Sequence, residues 1–477
     1  MRALYLPLGL FEVLFCVACG SSSGIIGFIP QGSFSPASLK GQYVYQIEGF
    51  DFSVNRNGVP YREIGVFNAD GNGVITRATD DFSEGSLVMN TVSRGTYTIS
   101  SDGTGRLTFN NALGTIQLAV TLVSSSKVYL VEGDTVLNAG GLAEKQLSTA
   151  APSGTFVFRE HDVLASPSVA RVGAFNISGG TVSSGNVDVN RGGTFSSLIF
   201  TAGAFITPDS ATGRGSATLI DNSPASSSFI YYVVDANNLR LMASTLGVVG
   251  AGRAEQQIGT PALSGSYAFG SKGDTLSFLG GINTAGRFTA GGGSITAGVR
   301  DSVEDGKTAT SVSFTGTFTQ PANGRAAVSL TTATNGNLVV WMVSPSRGFF
   351  LVNDPNTIQD GTLDLQTAAT FSNATMKGQY ALVMDGFDGG GAKDRVGTLQ
   401  WDASGGLTLN EFTNAGGVIT FPIILSGNYL VSSNGRTAAS ISNLSNNLVF
   451  YLISGSDAYV LQNDSGVQIT GTLGKQN

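Results

Sequence analysis

The feature that most constrains the fold is a long internal repeat. Residues 39–51 read LKGQYVYQIEGFD and return at 376–388 as MKGQYALVMDGFD. Two looser copies stand between them, SGTFVFREHD at 153–162 and LSGSYAFGSKGD at 263–274. Their glycines Gly41, Gly154, Gly265 and Gly378 are 113, 111 and 113 residues apart. A fourfold period of this length means four copies of one design, each long enough to bury its own core.

The copies are built for strands. Tyr43, Tyr45 and Ile47 alternate with polar residues, and the same face recurs as Phe156 and Phe158, as Tyr267 and Phe269, and as Tyr380, Leu382 and Met384. Period two with one apolar face is a half-buried β-strand. The 65 glycines against 13 prolines, spread between β-branched and aromatic runs, predict many strands joined by tight turns. Asp70-Gly71-Asn72-Gly73 is read as such a turn rather than a calcium loop, because the loop's closing Glu is missing. Pairs of the form Gly-Arg follow a mid-module strand: Gly105-Arg106, Gly213-Arg214, Gly324-Arg325 and Gly435-Arg436. These arginines are expected to pair with a carboxylate of their own module or to lie at the surface.

Near each module's end a hairpin recurs around a four-residue loop, as in LAVTLV-SSSK-VYLVEG at 118–133 and LVVWMV-SPSR-GFFLVN at 338–353. Leu130, Leu241, Leu351 and Leu461 are expected at one register. The strand before the loop is apolar on both faces, so its outer face should be covered by a neighbouring module. Its aromatic residues Tyr231, Tyr232, Trp341, Phe450 and Tyr451 are read as core. Each module closes on Gly-x4-Gln, ending at Gln146, Gln257, Gln366 and Gln476. Those glutamines are expected to bond across their own closing strands.

The resulting prediction is an all-β chain of four tandem modules, 39–146, 152–257, 263–366 and 376–476. Each is an approximately eight-stranded antiparallel meander barrel, because closure removes exposed edges. A two-sheet β-sandwich is the alternative. The opening pattern Leu/Met-x-Gly-x-Tyr (Leu39, Gly41, Tyr43; Leu263, Gly265, Tyr267; Met376, Gly378, Tyr380) resembles the first strand of avidin-like and lipocalin-like barrels.

Residues 1–24 carry Arg2, an apolar run too short to span a bilayer, and Cys16-Val17-Ala18-Cys19-Gly20. Here the chain resembles a bacterial lipoprotein signal, with Ala18 and Gly20 flanking Cys19 as a lipobox requires. The resemblance implies cleavage before Cys19, lipidation of its thiol, and a lipid-anchored place in the cell envelope, at the outer membrane or cell surface. An ordinary secretory signal is the other reading. Cys16 and Cys19 are not read as a redox pair, since no βαβ pattern surrounds them. Residues 25–38 form a flexible Gly/Ser-rich tether.

Composition narrows the function further. The net charge of −7 without a Lys/Arg cluster argues against nucleic acid. One His and two N-terminal Cys leave no repeated His- or Cys-based metal or catalytic site, and no cofactor is expected. His161 is read as a solvated loop residue. The candidate ligand residues are acids at the end of the first strand: Asp51, Asp162, Asp274 and Asp388, preceded by Glu48, Glu160 and Asp385 in three modules. Turn formation is the plainer role for such acids. At a barrel mouth they would meet a cation or a sugar hydroxyl. The expected function is non-catalytic: binding, adhesion or structure, with the membrane, a glycan or an envelope protein as partner. Small-ligand carriage inside the barrels is the alternative, followed by carboxylate-dependent glycan hydrolysis.

Overall fold

Strands follow one another along the whole computed structural model, which describes residues 32–53, 58–111, 114–163, 167–223, 226–259, 261–276, 280–320, 323–331, 336–442 and 446–477. The signal with Cys19, and residues 25–31 of the tether, lie outside the described residues. The chain forms four closed eight-stranded antiparallel barrels, not sandwiches. Barrel 1 runs from β1 (Lys40–Asp51) to β8 (Leu137–Lys145) and barrel 2 from β9 (Gly154–Asp162) to β16 (Gly250–Gln256). Barrel 3 runs from β17 (Gly265–Thr275) to β24 (Thr357–Leu365), and barrel 4 from β25 (Lys377–Asp388) to β32 (Gln468–Lys475). In every barrel the first strand pairs with both the second and the eighth, which closes the sheet.

Two glycine features carry the backbone through this path. Gly41, Gly154, Gly265 and Gly378 all have positive φ, from 98° to 127°, so the repeated glycine marks a strand entrance that other residues resist. Gly179-Gly180 and Gly292-Gly293 have φ near 57° and 80°, the two left-handed residues of a tight hairpin turn. Inside each barrel the inward faces meet in an apolar core. Tyr43, Tyr45, Phe67 and Phe109 fill barrel 1, and Trp401 packs edge-on against Tyr380, Tyr429 and Phe450 in barrel 4.

The barrels themselves form a ring. The first two strands of each barrel lie against the sixth and seventh strands of the next, and those of barrel 4 lie against barrel 1. The seams are apolar: Val44, Ile64 and Val66 on Tyr232 and Met242; Val157 and Val172 on Trp341 and Leu351; Ala268 and Ala285 on Tyr451 and Leu461; Val383 and Val396 on Val123 and Tyr129. This explains the sixth strand with two apolar faces. It also splits the aromatic strip: Tyr231 and Phe450 enter barrel cores, whereas Tyr232, Trp341 and Tyr451 enter seams. The four leucines do not share a register. Leu130 and Leu241 face their own cores, while Leu351 and Leu461 sit one residue further on and face seams. A one-residue step reverses the face.

The terminal glutamines reach into the next barrel, and Gln146 also makes the expected bond across its own closing strands, accepting from Gln42 on β1. Gln146 Nε2 donates to Thr212 O and Val233 O, Gln257 to Asn323 O and Met342 O, and Gln366 to Asn434 O and Leu452 O. Gln476 does the same to Asp102 O (2.9 Å) and Leu122 O (2.7 Å) of barrel 1, fastening the ring. Gln476→Ala removes both bonds; Asp102 O keeps a donor in Gln379 Nε2 (3.2 Å), whereas Leu122 O loses the one Gln476 supplied, at about 1–3 kcal/mol. Amide hydrogen exchange should then rise across the seam strands of barrels 4 and 1 and stay unchanged at the other three seams. A uniform rise over the whole chain would contradict the latch.

Three seams also hold a charged clamp. Arg214 grips Asp81 through Nε (2.7 Å) and Nη2 (2.6 Å), and Tyr232 donates to the same carboxylate at 2.8 Å. Arg325, Asp188 and Trp341 repeat this, as do Arg436, Asp301 and Tyr451. The arginines therefore pair with the preceding barrel, not their own. Arg106 is not their counterpart. Gly103 occupies the place of Gly213, Gly324 and Gly435, each accepting a bond from its sixth strand, so Thr104 holds the arginine position. At this fourth seam Thr121 replaces the aromatic donor and Phe412 the carboxylate. All three members of the clamp change together.

Candidate functional site: the axial chamber

The first strands surround the ring axis. Alternation sends Tyr43, Tyr45 and Ile47 into the barrel and Gln46 and Glu48 out toward the axis. Pairing with the eighth strand places Glu48, His161, Lys272 and Asp385 at one register, opposite Gly140, Ala251, Asp360 and Thr470. One sequence position thus carries two acids and two bases around a pseudo-fourfold axis.

These groups meet. Lys272 Nζ lies 3.0 Å from Asp385 and 3.3 Å from Glu48, joining barrel 3 to barrels 4 and 1. Glu48 also lies 3.5 Å from Arg62. His161 is not a loop residue: it stands on β9 and bridges Asp360 (2.8 Å) and Asp274 (3.3 Å) of barrel 3. Arg159, two residues earlier, holds the other oxygen of Asp360 at 2.6 Å.

The electrostatics follow from this pairing. Burial would raise the Glu48 carboxyl, but Lys272, Arg62 and Arg159 outweigh it and hold Glu48 well below the usual carboxylate range. Burial opposes the charge on His161, yet Asp274 and Asp360 carry it up to about 10, so the ring is an imidazolium at neutral pH. Asp394, on the second strand of barrel 4, goes the other way. Burial and the nearby Asp385 charge push it well above the usual range, against the pull of Lys272, and its Oδ2 has no partner.

Above this layer the axis opens into a chamber of about 860 Å³ lined by all four barrels. Its walls include Glu48, Arg62 and Asn138 of barrel 1, His161 of barrel 2, Asp274 and Asn283 of barrel 3, and Asp385, Asp388 and Asp394 of barrel 4. At the rim Phe50 and Phe387 meet edge to face, 4.9 Å apart. The volume falls within the roughly 300–1,000 Å³ usual for small-molecule sites. Among the described residues, no group of three His, Cys, Asp or Glu is placed to hold a metal ion.

Four of the seven acids singled out from sequence therefore line the chamber: Glu48, Asp274, Asp385 and Asp388, the last paired with Lys393 at 3.1 Å. The other three point into barrels. Glu160 and Asp162 share the inward face of Phe156 and Phe158 and bind Arg171 at 2.8 and 2.5 Å. Burial and the Asp162 charge push Glu160 up to about 8, against Arg171. Asp51 is buried at the end of barrel 1, where it accepts from Ser53 N–H at 2.6 Å. The four terminal acids are not one repeated position, since they fall 10, 8, 9 and 10 residues after their glycines. Counting offsets instead would have exposed Glu48, His161, Lys272 and Asp385 as the aligned set. Asp394 and Asn138 had no such signal, because their roles depend on the seam between barrels 4 and 1.

No family model matches the chain, and no curated protein matches it. Among solved structures, it is similar to the isotype 1 transferrin binding protein B of serogroup B Neisseria meningitidis, with 12% identity over 74% of this chain and 84% of that chain and a TM-score of 0.19. It is also similar to CghA, with 9% identity over 94% of this chain and 95% of that chain and a TM-score of 0.15. Both TM-scores are too low for either likeness to bear on function.

Proposed function

We propose that this is an exported, non-catalytic binding protein, lipid-anchored in the cell envelope through Cys19, that takes its ligand in the axial chamber. The observation that carries the reading is the chamber itself. Each barrel contributes to its wall, so the site belongs to the ring as a unit and to no single barrel. The barrel interiors support carriage less well. They are filled with aromatic side chains, and the gap in barrel 3 among Phe269, Phe288 and Phe314 is about 80 Å³, smaller than the roughly 150 Å³ cavity that accepts one benzene.

Cys19→Ser should move the protein from the membrane fraction to the soluble fraction of its host. That soluble variant, screened by thermal shift against glycans, apolar small molecules and divalent cations, should gain about 2.7 kcal/mol from a ligand present at a hundred times its Kd. Phe387→Ala at the chamber rim should remove the gain. A ligand whose effect survives that change and is abolished by substitutions inside a barrel would favour the carrier reading instead.

A further inference from the structure

The chamber wall is unusual in having many charges and almost none to spare. Lys272 is held by Glu48 and Asp385, His161 by Asp274 and Asp360, and Asp388 by Lys393. These charges already have partners within the wall, so it offers a charged ligand little that is not already compensated. Phe50 and Phe387, with Val163 and Ala392, give the wall apolar surface beside these charges.

Two buried polar groups of the wall remain without a full set of partners. Asp394 is 3% exposed and its Oδ2 is unbonded; Asn138 is 1% exposed and its Oδ1 is unbonded. Both line the chamber. Asn138 is fixed in orientation, because its Nδ2 donates to Asn414 O (2.8 Å) and Ala392 O (3.1 Å). Asp394 occupies space left by Gly140, two residues further along the same strand face as Asn138: a Cβ on Gly140 would come within 3.7 Å of the Asp394 carboxyl. A buried polar atom without a partner is costly, and native folds rarely leave one except where a ligand or water completes it. With Asp394 protonated, the pair presents one O–H donor beside acceptors. Phe387, 39% exposed at the rim, offers an apolar edge and face.

We infer that the chamber binds an uncharged saccharide, whose hydroxyls bond Asp394 and Asn138 while a sugar ring lies against Phe387. The inference rests on the chamber-binding reading and specifies its ligand class. Adjacent hydroxyls are the groups that both donate and accept at short spacing, and a pyranose adds an apolar C–H face suited to an aromatic ring.

The test is calorimetric titration of the full chain carrying Cys19→Ser with three sets of oligosaccharides: neutral glucans and N-acetylated chitooligosaccharides, anionic uronates, and cationic glucosamine oligomers. A neutral oligomer should bind. Asp394→Leu should weaken it about 10- to 100-fold, the range for one lost buried hydrogen bond. Asp394→Asn, which keeps a donor and an acceptor, should stay within about fivefold of the parent, and Phe387→Ala should weaken binding while the variant keeps the parent's circular-dichroism spectrum. Asp394→Asn and Phe387→Ala keep the test decisive if Asp394→Leu does not fold. Phe387-dependent binding of uronates or amines, with none of the neutral set, would overturn the saccharide class assigned here and leave the chamber reading standing. Neutral binding that none of the variants changes would lie elsewhere and overturn both. No binding by any oligomer at millimolar concentration overturns the inference, while a non-sugar ligand lost with Phe387→Ala would still uphold the chamber.

Discussion

Asp188→Ala is expected to destabilise the ring by about 3 kcal/mol, at the lower end of the range for breaking a buried ion pair. Asp188 is 1% exposed and accepts from Arg325 Nε (2.9 Å), Arg325 Nη2 (2.8 Å) and Trp341 Nε1 (2.7 Å). Its removal leaves the indole N–H buried without a partner. Arg325 recovers part of the loss, because its side chain is a quarter exposed and turns to water. The measurement is convenient because the chain has two tryptophans. With Trp401→Phe in the background, Trp341 alone reports the seam between barrels 2 and 3 during urea unfolding. Its transition should move to lower urea, ahead of the loss of β-structure seen by circular dichroism. Coincident, unshifted transitions would contradict the clamp.

The fourth seam supplies the converse. Phe412→Asp alone should be destabilising by several kcal/mol, since it buries a carboxylate with no cation opposite. Adding Thr104→Arg and Thr121→Tyr should return most of that loss, because the three positions would then reproduce the clamp of the other seams. Failure of the triple variant to recover would mean that the joint replacement at this seam has another origin.

Much of the fold can be read from the chain because repetition and strand period are local properties. Tyr43, Phe156, Tyr267 and Tyr380 announce their faces within a few residues, and the fourfold spacing of their glycines requires only comparison of the chain with itself. The ring is harder. Val172 and Trp341 meet over a separation that no local pattern encodes, and the trace they leave is a sixth strand apolar on both sides. The terminal glutamines were visible as a repeat, but a side-chain amide gives no direction, so their reach into the next barrel was hidden. Glu160 and Asp162 were misplaced for a simpler reason. They share parity with Phe156 and Phe158, so alternation already assigned them inward, and nearness to the strand end was the weaker criterion. The same error of one or two residues separated Leu351 from Leu130 and matched Arg106 with arginines whose true counterpart is Thr104. In a sheet, a displacement of one residue changes the compartment a side chain enters.

Stability should pass through a maximum in mildly acidic solution, and barrel 1 should set its alkaline side. At the register where barrels 2 and 4 place Arg171 and Arg395, barrel 1 has Glu63. Glu63 is buried, accepts from the hydroxyls of Tyr45 and Tyr61, and faces Asp80, while Glu132 is buried nearby with one oxygen unbonded. Burial, then the charge of Asp80, pushes Glu63 well above the usual carboxyl range; burial, Asp134 and Glu63 do the same to Glu132. Folded, both hold protons that the unfolded chain releases near pH 4.3. Their contribution is complete below that pH and declines as pH rises toward the folded values, by about 1.4 kcal/mol per unit for each carboxyl that stays protonated. Glu160, pushed up to about 8, and His161, at about 10, weaken the fold on the same side. Glu255 acts in the opposite sense: burial would raise it, but Arg347 and Arg253 hold it at about 2, so its contribution is lost as pH falls from about 4 toward 2. Glu63→Gln keeps the shape of the carboxyl and cannot ionise. Denaturant midpoints should therefore match the parent near pH 5 and exceed it increasingly between pH 6 and pH 9, and Glu63→Gln with Glu132→Gln should flatten that limb further. Parallel curves for parent and variants would mean that Glu63 and Glu132 titrate as they do in the unfolded chain, and that the alkaline limb belongs to His161 and the axial ion pairs.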